Sequence, residues 1–117
     1  MVDYVPRHGD FIWLNFDPQS GHEQMGKRPV LVLSQTEFNI YRGFIFGCPI
    51  STNKRKNSFY VEISDDQAVK GVVMSDQLRS LDYRSRAAEY ISVCPDNLLA
   101  EVLGRIYPIL YKNNWML

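Results

Sequence analysis

The sequence predicts a mainly β domain, a small barrel or sandwich closed by a C-terminal helix. Three observations carry this expectation. Short apolar runs recur along most of the chain with turn residues between them, as in small all-β domains. A helical period appears only near the end. The length of 117 residues suits a single domain spanning 1–117, large enough to bury an apolar core.

The strands are expected in order. Phe11 to Phe16 follows Gly9-Asp10 and stops at Asp17-Pro18. Pro29 to Ser34 is almost continuously aliphatic, the pattern of a strand buried on both faces. Phe44 to Ile50 opens after Gly43, Phe59 to Ile63 alternates, and Gly71 to Ser75 and Tyr90 to Val93 complete the set. Thr36 to Tyr41 suits one or two helical turns, capped by Ser34 or Thr36. Pro95-Asp96-Asn97 reads as a helix start, with proline in the first turn and an acid at the positive dipole end. Leu98, Leu99, Val102, Leu103 and Ile106 then recur at i, i+3 and i+4 spacing, and Pro108 should end or kink the helix near Tyr107. The tail from Tyr111 to Leu117 ends on Trp115-Met116-Leu117, an apolar close that suggests docking on the domain or on a partner.

Charge is balanced, with 13 basic and 13 acidic residues, which argues against indiscriminate coating of nucleic acid. Eight of the basic residues nevertheless fall in three short stretches, Lys27-Arg28, Lys54-Arg55-Lys56 and Arg79/Arg84/Arg86. A fold that brought these together would build a basic groove on a neutral protein; otherwise they are separate solvated patches. The two cysteines, Cys48 and Cys94, have neither a disulfide framework nor a zinc spacing and suit inert thiols in a reducing compartment. Met1 to Pro6 lacks a basic start followed by an apolar stretch, and the longest aliphatic run, Val30 to Leu33, is far too short to span a bilayer. A cytoplasmic location is therefore expected.

The segment from Asp17 to Pro29 is a long polar connection between two apolar strands. It holds His22, Glu23, Gln24 and Arg28 within seven residues. Such loops on rigid scaffolds often carry function, though a solvated loop is the plainer alternative. Arg28 stands at the root of a buried strand, where its backbone is anchored and its guanidinium can hold a phosphate by paired hydrogen bonds. Ser51 and Thr52 place two hydroxyls at the end of another strand, ahead of Lys54. Asp76-Gln77-Leu78-Arg79-Ser80 supplies further polar groups just after a third. His8, in an amino-terminal turn, is expected to be exposed to solvent. Tyr83 lies among Arg79, Arg84 and Arg86, where an aromatic ring suits stacking on an RNA base, or equally an interface.

Several ordered blocks together resemble the MazF/PemK family of toxin endoribonucleases. They are Gly9-Asp10 before a Trp-containing strand, Phe16-Asp17-Pro18, Gly21-His22-Glu23-Gln24, Arg28-Pro29 to Ser34, Pro49-Ile50-Ser51, Asp76 to Ser80, and Val102-Leu103-Gly104-Arg105. The resemblance implies an SH3-like barrel of the MazF/PemK/CcdB type with a short helix and a C-terminal α-helix. It implies a homodimer that cuts single-stranded RNA, commonly mRNA, at short sequences, with no metal or other cofactor. It also implies inhibition by a cognate antitoxin with a flexible acidic C-terminal segment. By the same resemblance Arg28 and Ser51 are catalytic, Glu23 lies in the site, and His22 and Asp76 match positions given roles in PemK-like members. Two departures matter. Many relatives carry threonine where this chain has Ser51, so the hydroxyl is kept and a methyl lost. PemK-like members have an arginine where this chain has Met74, so that role does not carry over.

The chemistry follows from RNA itself. The substrate brings its own nucleophile, the 2′-hydroxyl. Arg28 suits the charge that builds on the phosphorane, but with a pKa above roughly 12 it is a poor proton donor. Ser51 can orient the phosphate. Glu23, ahead of His22, is the candidate for moving the proton. Expected RNA contacts are Thr52, Lys54, Asp76, Gln77, Arg79, Ser80, Tyr83 and Arg86. The competing expectations are a gyrase poison of the CcdB kind on the same barrel, and a catalytically inactive binding barrel.

Overall fold

In the computed structural model, residues 4–16, 26–54 and 56–111 are described. The strands are β1 (Asp10–Asn15), β2 (Lys27–Val32), β3 (Ile45–Ser51), β4 (Tyr60–Glu62), β5 (Val72–Met74), β6 (Arg79–Leu81) and β7 (Glu89–Val93). Helix α1 (Thr36–Arg42) lies between β2 and β3, and α2 (Asp96–Leu110) follows β7. Pairing follows the order β4-β5-β3-β2-β1-β7, with β6 also on β3, and every ladder is antiparallel. No ladder among the described residues joins β4 to β7, so the barrel is bent but open.

The bend is concentrated in β3. Its first residues pair with β6, Gly47 to Pro49 pair with β2, and Ile50-Ser51 pass to β5. Gly47 sits where β2 and β6 flank the same residue. A Cβ there would lie 2.6 Å from the Leu31 carbonyl oxygen and 2.9 Å from Val30 Cγ1, so only glycine permits this approach.

Strand alternation sorts the apolar residues into two clusters. On one side Phe11, Leu31, Cys48, Ile50 and Val73 pack beneath Leu98, Val102 and Ile106 of α2. On the other, Ile12, Leu14, Val30, Val32, Ile45, Leu81 and Tyr83 pack together, flanked by Tyr4, Val5, Phe16 and Ala88. The aliphatic run Val30 to Leu33 contributes to both clusters, and all four residues are buried.

Several expectations need correction. β6 lies in the segment read only as polar groups after a strand; three residues with two of them exposed carry no legible period. α1 starts behind Gln35 with no side-chain cap. Ser34 Oγ instead donates to Asn39 Oδ1 and accepts the Phe46 N–H. Of the two outcomes expected at Pro108, an end or a kink, the end is excluded, because α2 passes through Pro108 to Leu110. The proline ring meets the carbonyl four residues back, at Gly104, whose Cβ position faces open space, so the backbone there can tilt. His8 is half-buried, and its Nδ1 donates to the Leu33 carbonyl at 2.8 Å, so it is not a free surface side chain. Cys48 and Cys94 are buried and unbridged, as the apolar-thiol reading expects. The tail 112–117 lies outside the described residues.

Candidate active site at the open end of the sheet

Arg28 is exposed on β2, opposite Leu14 of β1. On its other side β2 pairs with β3 through Val30 and Pro49; the same register carried two residues further sets Arg28 opposite Ser51. Alternation puts both on the face that holds Val30 and the bare backbone of Gly47. Ser51 is half-buried, and its Oγ accepts the Asn53 N–H at 3.0 Å, leaving the hydroxyl proton for another acceptor. Gly71 locks the backbone beneath it. With φ at 120°, a Cβ there would fall 2.1 Å from the Ser51 carbonyl oxygen.

Phe16 belongs to the same end. Its N–H donates to the Gly26 carbonyl at 2.7 Å, which extends the β1–β2 hairpin two residues beyond Arg28. The guanidinium carbons of Arg79 and Arg86 lie over the Phe16 ring, 5.0 and 5.8 Å from its centre. Arg86 Nη1 donates to the carbonyls of Asn15 and Phe16 at 3.0 and 3.2 Å. Phe16 was singled out by the sequence only as part of a motif. Its even-numbered register with Leu14 is the signal that places it on the Arg28 face.

Not every expected residue joins this group. Tyr83 is 2% exposed, and its hydroxyl donates to the Asn39 carbonyl at 3.0 Å. It is a core residue and has no ring face to offer an RNA base. Ser80 pairs with Phe46 and faces away from Arg79 by alternation. Lys54 is paired with Glu62 at 3.2 Å and lies 3.9 Å from Asp65. Lys27 is tied to Glu89 at 2.5 Å. Thr52 is exposed just beyond Ser51. Asp76 and Gln77 are exposed on the 3₁₀ turn after β5, and Asp76 adds to the burial that pushes the Cys48 thiol up to about 12. His22 and Glu23 lie outside the described residues.

The ion pairs among the described residues use Lys27, Lys54 and Arg105, and none uses Arg28, Arg79 or Arg86. A cleft of about 680 Å³ lies elsewhere, lined by Tyr4, Arg7, Asp10 and Tyr90 among others. Its buried carboxylate, Asp10, already accepts hydrogen bonds from the Tyr4 hydroxyl and the Arg7 N–H. Arg28 and Arg79 are exposed outside that cleft, and exposed cations suit the phosphates of a polymer better than a small molecule.

Fold and site together define a small curved-sheet protein with exposed arginines at one end. Residues 7–110 match the model of the PemK-like, MazF-like toxin family of type II toxin–antitoxin systems, and the chain belongs to that family. The endoribonuclease toxin MazF of Escherichia coli K12 is 38% identical over 96 residues, 81% of this chain and 86% of the relative. A crystal structure of MazF from Deinococcus radiodurans is 45% identical with a TM-score of 0.83, covering 92% and 98% of the two chains. A MazE–MazF complex from the same organism gives 39% identity and a TM-score of 0.84 over 95% and 100%. The expectation of a MazF/PemK-type fold is thereby borne out.

Proposed function

We propose that this chain is an endoribonuclease toxin that cleaves single-stranded RNA at the Arg28 end of the sheet. The observation that supports the mechanism is the β2–β3 register, whose continuation two residues beyond the Val30–Pro49 pair puts Arg28 and Ser51 on the same face. The 2′-oxygen attacks the adjacent phosphorus, the bond from phosphorus to the 5′-oxygen breaks, and the 5′-oxygen takes a proton. The products are a 2′,3′-cyclic phosphate and a 5′-hydroxyl. Arg28 holds the phosphorane oxygens by fixed charge. Ser51 donates its free proton to a non-bridging oxygen. Glu23, with His22 as the second candidate, moves the protons that Arg28 cannot. Arg79 extends the cationic surface for neighbouring phosphates.

The toxin acts as a homodimer and is neutralised by an antitoxin whose acidic segment competes for the same cations. The solved relative in complex with MazE supports that partner class. No helix of the described residues is long and apolar enough to cross a membrane. The cytoplasm, where RNA is met and thiols stay reduced, is the proposed site of action.

The test is incubation of the purified protein with defined single-stranded RNAs in excess chelator, followed by analysis of the fragment ends. Cyclic phosphate and 5′-hydroxyl ends are expected. Cleavage that requires added metal, or leaves 5′-phosphates, would overturn the mechanism. Inhibition of gyrase supercoiling without RNA cleavage would favour the competing activity.

A further inference from the structure

The sequence groups Arg86 with Arg79 as a phosphate contact. The geometry separates them. We propose that Arg86 is a positioning residue, bracing Phe16 so that the Phe16 ring holds the Arg79 guanidinium at the RNA surface. The proposal rests on the ribonuclease reading above and goes beyond it in assigning how the surface is kept in shape.

Arg86 is half-buried and already committed. Its Nη1 donates to two successive carbonyls, those of Asn15 and Phe16, across 71 and 70 residues of sequence. Its own carbonyl accepts the Asn15 N–H at 2.8 Å, so both its backbone and its side chain grip the end of β1. The turn that delivers it is held by Asp82 Oδ1, which accepts the N–H groups of Arg84 and Ser85. The next residue, Ala87, has φ of 53°, a left-handed conformation that alanine adopts only when its surroundings impose it. Arg79 differs: it is exposed, and among the described residues its guanidinium lies over the Phe16 ring at 5.0 Å.

The chain of support therefore runs from Arg86 through Phe16 to Arg79. A planar guanidinium can lie against the ring while donating in its own plane, whereas an ammonium has no such plane. Holding Arg79 before RNA arrives removes an ordering cost from binding, so its loss belongs in KM rather than in the chemical step.

The experiment compares Arg86→Gln, Arg86→Lys, Phe16→Leu and Arg79→Ala, each checked for an unchanged melting profile, in two readouts. In the RNA-free protein, the Nε–H proton of Arg79 should carry an upfield ring-current shift, reduced in Arg86→Gln and abolished in Phe16→Leu. In cleavage assays, Arg86→Gln and Arg86→Lys should both raise KM about tenfold, equivalent to about 1.4 kcal/mol, with kcat within about twofold. Once Arg79→Ala is present, Arg86→Gln should add little, because the two act in series.

Rescue by Arg86→Lys, or additive effects of the Arg79 and Arg86 changes, would make Arg86 a direct charge contact and overturn the proposal. An upfield Arg79 shift in Arg86→Gln equal to that of the wild type would overturn it as well. If the wild-type protein failed to cleave RNA, the ribonuclease reading would fall, while the ring-current measurement would still decide whether Arg86 sets Arg79. If Arg86→Gln does not fold, Arg86→Lys decides by the same two measurements: a wild-type Arg79 shift and a wild-type KM in that variant would overturn the proposal.

Discussion

The two sides of the sheet are finished in different ways. One side is covered by a helix: Leu98, Val102 and Ile106 of α2 close over Phe11, Leu31, Cys48 and Ile50. The other is closed by connecting segments and single side chains, with Tyr4, Val5, Phe16 and Ala88 at its margin. A helix covers apolar surface continuously and satisfies its own backbone, so the first side is built for stability. At one end of the second side the strand roots carry Arg28, Ser51 and Phe16 with Arg79, and no helix of the described residues packs there. The same strands serve both purposes because successive residues of β2 point to opposite faces.

Substitutions can break this division. Arg28→Ala should lower kcat by about 10²–10³-fold, the usual loss for a group that stabilises transition-state charge, with the melting temperature nearly unchanged. A variant of full activity would remove Arg28 from the mechanism. On the covered side, Leu98→Ala should cost roughly 2–3 kcal/mol of stability in denaturant titrations, the low part of the usual range because the residue is 7% exposed in the first turn of α2. Its folded fraction should retain wild-type kcat; a drop would show that the two sides are not independent. Ser51→Ala should slow cleavage about tenfold, as expected for a lost hydrogen bond to a charged group, while Ser51→Thr should stay within a few fold. Tyr83→Phe sharpens the distinction at the boundary. Losing the bond to the Asn39 carbonyl should cost about 1 kcal/mol of stability and leave the KM for RNA unchanged.

The thiols provide a probe of the covered side that needs no substitution. Burial pushes Cys48 and Cys94 up to about 12 from an ordinary 9.0, with Asp76 and Asp96 adding smaller upward effects. Raised folded-state values mean that their contribution to stability is complete below about pH 9 and is lost as pH rises toward 12. Alkylation in the native protein should therefore be slow at neutral pH and accelerate on unfolding. Rapid native-state labelling at pH 8 would mean that α2 does not cover these residues.

Much of the architecture is legible residue by residue. The run Val30 to Leu33 has no polar position, so it can only be a strand or helix segment buried all round, and Pro29 and the nearby turn residues favour the strand. Leu98, Val102 and Ile106 fall on one helical face and are the buried positions of α2. Arg28 at the root of a buried strand is likewise readable as an anchored cation. β6 is not readable, because three residues carry less than two periods of alternation. Tyr83 misleads for a related reason: its sequence neighbours are arginines, and Arg84 does lie over its ring, but the side chain is buried in the apolar cluster with its hydroxyl on the Asn39 carbonyl. Arg86 has the composition of a phosphate ligand, and its commitment to the carbonyls of residues 15 and 16 is invisible at a separation of 70.

The sequence by itself determined the mainly β class, the terminal helix, the buried strand and the chemistry available at Arg28 and Ser51, because these depend on local period and side-chain type. Only the tertiary structure decided which cations stand exposed and which hold the protein together. That choice is made by register: the β2–β3 ladder, continued two residues beyond its Val30–Pro49 pair, puts Arg28 and Ser51 on one face, and the turn after β6 brings Arg86 onto the end of β1. Register is a property of paired strands, and a one-residue slip would send each of these side chains to the other face.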